Sequence, residues 1–115
     1  MHHVNLGVPP DLVDAERDFL VDVLGYGPAE PDPLAKGFGA LWFDADDGTQ
    51  IHLSRDEHHV PAQRAHTALV VGDEIDEIQQ RLVNAGISYD DGEFGGRRVL
   101  FCADPAGNRF ELRES

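Results

Sequence analysis

Ala40-Leu-Trp-Phe-Asp-Ala-Asp-Asp-Gly-Thr-Gln-Ile-His-Leu-Ser54 and Val99-Leu-Phe-Cys-Ala-Asp-Pro-Ala-Gly-Asn-Arg-Phe-Glu-Leu-Arg113 are one pattern written twice, 59 residues apart. Leu41 falls on Leu100, Trp42 on Phe101, Gly48 on Gly107, Ile51 on Phe110 and Leu53 on Leu112. Each copy is an apolar run, a turn containing glycine and a second run of alternating character, which reads as a β-hairpin. Repetition at a fixed offset points to a duplicated structural unit.

The beginnings of the two halves agree as well. His3-Val-Asn-Leu-Gly-Val8 resembles His66-Thr-Ala-Leu-Val-Val71 at an offset of 63, and a helical stretch follows each. The drift in offset reflects loop length. In the first half, residues 4–8 read as a strand. Residues 12–24 read as a helix, because Leu12, Ala15, Phe19, Leu20, Val23 and Leu24 form one apolar stripe. Asp11 or Asp14 can cap its start, and Gly25 suits its end. Residues 38–44 and 50–54 are the hairpin strands. Pro28, Pro31 and Pro33 fall where a further strand should run. Proline removes ladder donors, so an edge strand or a loop is expected there. In the second half, 67–71 reads as a strand, and Ile75, Ile78 and Leu82 mark a helix followed by Gly86. Residues 87–89 are a weak strand, and 99–103 and 109–113 form the last hairpin. The expectation is an α+β fold in a single domain over residues 1–115. Two tandem βαβββ modules, 1–55 and 65–115, are joined by a linker at 56–64. They form a cupped mixed sheet with helices on its outer face.

Strand alternation sorts the side chains by face. Ile51 and Leu53 should pack against the helix, which turns His52 to the other face with Gln50 and Ser54. By the same reasoning Glu111 opposes Phe110 and Leu112, His3 and Asn5 oppose Val4, Leu6 and Val8, and His66 opposes Thr67 and Leu69. Taken singly, a histidine on a strand is more often a hydrogen-bonded or surface residue than a ligand. The recurrence of His3, His52, His66 and Glu111 at equivalent places on one face is what points to a metal site. Imidazole and carboxylate together suit zinc, iron, cobalt, nickel or manganese. Trp42, Phe101 and Asn5 share that face and are candidate substrate-binding residues. Tyr26, Phe38 and Phe94 are weaker wall candidates on loops. His2 is expected at the surface, and His58 and His59 are expected to be solvated in the linker. Arg97 and Arg98 sit at a hairpin tip, either solvated or against an anionic substrate.

Composition excludes several classes. Of 115 residues, 22 are acidic and only nine basic, for a net charge of −13. Phosphate backbones and anionic membrane surfaces are bound through Lys and Arg, so neither nucleic acid nor membrane is an expected partner. Hydrophobic residues make up 41% of the chain, enough for a globular core. No apolar run is long enough to span a bilayer. Met1-His2-His3-Val4 lacks a basic region followed by an apolar stretch, so a cytoplasmic location is expected. Cys102 is the only cysteine and reads as a buried strand residue rather than a reactive thiol.

The chain resembles the vicinal oxygen chelate superfamily, which includes glyoxalase I, bleomycin-resistance proteins, fosfomycin-resistance enzymes, methylmalonyl-CoA epimerase and extradiol dioxygenases. The resemblance covers nearly the whole chain. It rests on His3-Val-Asn-Leu-Gly-Val-Pro9, Asp22-Val-Leu-Gly-Tyr-Gly27, Gln50-Ile-His-Leu53, His66-Thr-Ala-Leu-Val-Val71 and, most specifically, Asp104-Pro-Ala-Gly-Asn-Arg-Phe-Glu-Leu112. It implies paired βαβββ modules, usually in homodimers, and in metal-dependent members ligands on the first and last strand of each module. Here those places hold His3, His52, His66 and Glu111. There is one departure: the position of His52 is usually Glu in glyoxalase I–like members and Gln in epimerase-like members. His3, His66 and Glu111 would supply the two histidines and one carboxylate of an extradiol dioxygenase.

The function expected from this set is metal-dependent chemistry of lyase, isomerase or dioxygenase type on a small molecule with adjacent oxygens. Glu111 would serve as ligand and catalytic carboxylate. Three imidazoles and one carboxylate in an octahedral site leave two positions open to substrate, whereas four ligands on tetrahedral zinc close the site and make it structural. A metal-free protein that sequesters a drug or metabolite is the other class the resemblance allows.

Overall fold

β1 (His3–Val8) and β4 (Gln50–Arg55) run parallel, with Val4 opposite Ile51 and Asn5 opposite His52. Parallel neighbours need a crossover connection, and the intervening helical segment provides it. The computed structural model describes residues 1–115 and divides them into two compact units, 1–60 and 61–115.

In the first unit the sheet order is β1-β4-β3-β2, where β2 is Gly27–Ala29 and β3 is Leu41–Asp44. Val8, Phe43, Ile51 and Leu53 share the core with Phe19, Leu20 and Val23 of the helical segment. That segment is not the single helix expected over 12–24. It opens as a 3-10 turn at Pro10–Leu12, continues as α1 (Val13–Asp18) and closes as a π turn at Phe19–Val23. The Leu24 amide donates to the Phe19 carbonyl at 3.1 Å, five residues back. The wider turn keeps Phe19, Leu20, Val23 and Leu24 all buried. Neither Asp11 nor Asp14 caps the start. Pro10 stands at the first helical position instead, where a missing amide hydrogen costs nothing. Gly25, at φ 81°, ends the segment as expected.

The proline-rich stretch yields β2 at the sheet edge, as its prolines suggest, and then a helix that the sequence did not announce. α2 (Pro33–Gly37) is capped by Asp32, whose carboxylate accepts from the Leu34 amide at 3.0 Å. Residues 38–40, expected to begin the hairpin, instead finish this helix: the Phe38 amide donates to Ala35 at 3.0 Å, and Phe38 is 82% exposed. His59 is not solvated. Its ring lies so close to Gly7 that a Cβ there would stand 2.6 Å from His59 Nδ1, so any larger residue would require the ring to shift. His58 is exposed.

The second unit repeats the plan in the order β5-β8-β7-β6. Its strands are β5 (His66–Val70), β6 (Tyr89–Phe94), β7 (Arg97–Ala103) and β8 (Arg109–Arg113), with β5 parallel to β8. α3 (Ile75–Asn84) buries Ile78 and Leu82 fully and Ile75 nearly so, as the spacing predicts. They join Leu69, Leu100, Phe110 and Leu112 in the core. The weak strand expected at 87–89 runs instead over 89–94, paired along its whole length with β7. Its Tyr-Asp-Asp-Gly-Glu-Phe sequence is mostly exposed at the sheet edge and carries no apolar alternation to signal a strand.

The duplication extends to the turns. The Ala45 amide donates to Thr49 and the Gly48 amide to Ala45, at 2.9 and 3.0 Å. At the corresponding places the Asp104 amide donates to Asn108 and the Gly107 amide to Asp104, both at 2.9 Å. The architecture is thus two βαβββ modules in an α+β fold. No helix is long and apolar enough to cross a membrane.

Candidate functional site

In the first unit, His52 sits in the middle of a stack of rings. Strand register sets Trp42 directly across from it on β3, and their rings stack at 4.2 Å and 4°. On its other face the His3 ring stacks at 4.0 Å and 12°. His52 is 8% exposed, His3 exposed. Gln50, two residues back on the same strand face, fixes the imidazole: His52 Nε2 and Gln50 Oε1 are 2.9 Å apart, and Gln50 Nε2 donates to Asp44 at 2.7 Å. With the amide so oriented, Nε2–H of His52 donates to Gln50 and Nδ1 keeps its lone pair. Burial and the neighbouring imidazoles of His3 and His2 hold His52 below its ordinary 6.5, against an opposing pull from Asp44. The ring is therefore neutral at neutral pH, the form a metal ligand requires. His2 is exposed, as expected, and packs edge-on to His3, with their Nδ1 atoms 2.8 Å apart. Asn5 lies opposite His52 and accepts from the Ser54 hydroxyl at 2.9 Å.

In the second unit the corresponding pair is His66 and Glu111. His66 Nδ1 lies 2.9 Å from the Arg64 carbonyl, which can only accept, so Nδ1 is the donor there. Its Nε2 faces Glu111 Oε1 at 3.4 Å. Arg113, two residues on along β8, donates to Glu111 Oε2 at 2.9 Å. One carboxylate oxygen is thus held and the other is turned to His66. Glu111 is 8% exposed. Phe101 lies opposite Glu111 on β7, and Phe94 packs edge-on against Phe101 at 6.0 Å.

Each expected donor therefore lies with its partner: His3 with His52, and His66 with Glu111. Trp42 and Phe101 occupy matching register positions beside them. Within neither unit do three or more His, Cys, Asp or Glu side chains gather into a metal-binding group. In type the donors suit a divalent metal: imidazoles, of which His52 has its tautomer fixed by Gln50, and a carboxylate with one oxygen anchored by Arg113.

The weaker wall candidates divide. Phe94 stands beside Phe101, Phe38 is exposed, and Tyr26 is buried with its hydroxyl 3.5 Å from Thr49. Arg98 is neither solvated nor available to a substrate, because it pairs with Asp76 and Asp91 and donates to Gln79 at 2.7 Å. Cys102 is buried, and that burial, with Asp104 nearby, pushes its thiol up to about 12, so it is inert at physiological pH. The steering residues Gln50 and Arg113 are functional positions that the sequence reading did not single out. Their signal was present, since each lies two residues from a ligand candidate and so on the same strand face.

The comparisons with known proteins identify the family and the fold. A glyoxalase-like domain family model matches residues 9–113. The chain belongs to the glyoxalase-like domain family, within the vicinal oxygen chelate superfamily. Among solved structures, this family member is similar to a glyoxalase-family protein of Bacillus anthracis, at 29% identity and a TM-score of 0.86, covering 98% of this chain and 92% of that one. It shares its fold with a glyoxalase/dioxygenase of Nostoc punctiforme, at 22% identity and a TM-score of 0.81 over 97% and 88% of the two chains. It also shares the fold of a fosfomycin resistance protein variant from Listeria monocytogenes, solved with Mn(II) and a dihydroxypropylphosphonic acid, at 18% identity and a TM-score of 0.78 over 100% and 89%. No match was found among curated proteins.

Proposed function

We propose that this chain is a metal-dependent enzyme acting on a small molecule with two adjacent oxygens, with His3, His52, His66 and Glu111 as the metal ligands. The observation that carries this reading is the matched placement of the two pairs. In each unit a first-strand histidine meets a last-strand donor two register positions along, and the last-strand donor is buried and held by a neighbour on its own strand. Support also comes from the Mn(II) bound by a fosfomycin resistance protein of the same fold. When bound, a divalent metal supplies Lewis acidity to a chelated pair of substrate oxygens. The chain's own residues do the rest. His52 Nδ1 offers its lone pair, His66 would bind through Nε2, and Glu111 Oε1, left free by Arg113, is the atom placed to take a substrate proton. Trp42 and Phe101 limit water access beside the two pairs. The edge strands of each sheet leave ladder groups unpaired, and we propose that a homodimer covers some of them.

One observation favours a second reading. His3 and His52 meet face to face rather than edge-on to a common point, and with Trp42 they form a continuous ring stack suited to holding a planar ligand without metal. For the metal reading, His3 must swing off the stack, which its exposure permits. The experiment is metal content of untagged protein after dialysis against nickel, zinc, manganese and iron(II), beside turnover of glyoxal adducts, catechols and 2-oxoacids. One bound metal with turnover is expected. A bound metal without an exchangeable water means a closed structural site, and metal-free protein turns the assignment to sequestration.

A further inference from the structure

The second unit contains a cavity of about 280 Å³ lined by Gln63, Arg64, His66, Phe101, Arg109 and Phe110 among others. Register explains its make-up: His66 lies directly opposite Arg109 across the parallel pair β5/β8, and Arg64 leads into β5 two residues before His66. Two features set it apart. The chain has 22 acidic residues against nine basic ones, yet carboxylates pair with only four of the cations. These are Lys36, Arg81, Arg98 and Arg113. Arg17, Arg55, Arg64, Arg97 and Arg109 form no ion pair, and of these only Arg64 and Arg109 line the cavity. The second feature is composition. Phe101 and Phe110 supply apolar wall beside these two cations, which suits a ligand with a charged end and an apolar body. A net charge of −13 repels anions at long range, so an anionic ligand needs local guanidinium groups to be held at all.

We propose that this cavity is an anion subsite that takes the carboxylate or phosphonate end of a small organic acid, with Arg64 and Arg109 as its charged anchors. The assignment deepens the function proposed above and rests on it for one point only, that the remainder of the same molecule reaches the donors at His66 and Glu111. The acid-binding role stands on the cavity alone. His66 belongs to both places, since it lines the cavity and faces Glu111 at 3.4 Å. A substrate anchored at the arginines therefore begins next to a proposed metal ligand.

The test uses the full chain in chelator, free of metal. Phenylphosphonate and phenylacetate are titrated by two-dimensional amide NMR, with phenylacetamide as the uncharged match of the carboxylate. Saturable binding of at least one acid is expected, with shifts at His66, Phe101 and Arg109, and no saturation with the amide. Whether the phosphonate or the carboxylate binds tighter identifies which acid the subsite is built for. Arg64→Ala and Arg109→Ala should each weaken binding about tenfold or more, as loss of a charge-assisted hydrogen bond does. Arg97→Ala, which removes the same charge from the β6/β7 tip, should change nothing. The spectra report folding of every variant in the same experiment. Equal binding of amide and acid, no binding of either acid, or wild-type binding by both Arg64→Ala and Arg109→Ala would overturn the proposal. Metal titration of Arg109→Ala separates the two assignments. Acid binding with no metal uptake in the wild type sinks the metal site and leaves the subsite standing, while metal uptake without acid binding does the reverse.

Discussion

Glu111→Gln preserves side-chain length and removes one charge, so it isolates what the carboxylate does. In the metal-free protein its main partner is Arg113, at 2.9 Å, with side-chain exposures of 11% for Glu111 and 32% for Arg113. Fully exposed pairs contribute about 0–1 kcal/mol, and breaking a fully buried one costs about 3–5 kcal/mol. This half-buried pair falls between them, and glutamine Oε1 can still accept from the guanidinium. The expected loss of folding stability is about 1–2 kcal/mol, read as a shift of the urea midpoint with unchanged slope. The effect on metal should be larger. Removing an outer-shell partner of a metal ligand alone costs about 10–100-fold in affinity, so losing an anionic ligand should exceed about 100-fold. Calorimetric titration of zinc and manganese into folded wild type and Glu111→Gln measures that ratio, and the urea curve verifies that the variant is folded. A metal affinity within about threefold of wild type would refute Glu111 as a ligand and reduce it to Arg113's structural partner.

His52 is held below 6.5 in the fold, so between its folded and unfolded values the unfolded chain binds the proton more readily. Stability from this group is fully present above pH 6.5 and is lost as pH falls through the lower folded value. His52→Gln should flatten the acid side of the stability curve, measured in chelator by urea titration from about pH 8 to about pH 5; a slope equal to wild type would show that His52 is not the group responsible. Gly48 and Gly107 occupy equivalent turns at φ 87° and 86°, but only at Gly107 would a Cβ meet Pro61, at 2.8 Å. Gly48→Ala should cost about 1–2 kcal/mol for the left-handed backbone alone, and Gly107→Ala should cost measurably more; equal losses in thermal unfolding would mean that the Pro61 contact does not constrain the turn.

The fold was legible where the chain repeats itself. The alternation in β4 and β8 and the i, i+3, i+7 spacing in α3 survive in the structure because both are set by which face is buried. What was hidden was hidden for identifiable reasons. The π turn at Phe19–Val23 adds a residue to a turn, so the apolar stripe over 12–24 fits a single helix and conceals the change of pitch. α2 is five residues long and makes no apolar stripe, and its only local signal is the Asp32-Pro33 cap. β6 is exposed and polar, held by backbone pairing to β7 rather than by side-chain pattern. The candidate site was partly legible: period-two alternation put His3 and His52 beside Trp42, and His66 and Glu111 beside Phe101, as the strand register has them. Alternation says nothing about rings meeting face to face, so the His3–His52–Trp42 stack was invisible to it. Arg64 and Arg109 were missed for a similar reason, since their weight comes from meeting in one cavity, which only the fold reveals.

The two pairs differ in a way that follows from their steering residues. The inner members, His52 and Glu111, are both 8% exposed and each is fixed by a residue two places away on its own strand. The outer members, His3 and His66, are exposed and free to adjust. A buried neutral imidazole is matched by the neutral amide of Gln50, and a buried carboxylate by the cationic Arg113. Exchanging either steering residue for the other would strand a charge: a guanidinium beside His52 would repel any metal there, and an amide beside Glu111 would leave its charge uncompensated. Duplication supplies two equivalent positions for a buried inner donor, and the residue two places along the strand determines whether that position can carry a neutral donor or an anionic one. The site's proposed charge of one carboxylate against three imidazoles is therefore written in Gln50 and Arg113 as much as in the ligands themselves.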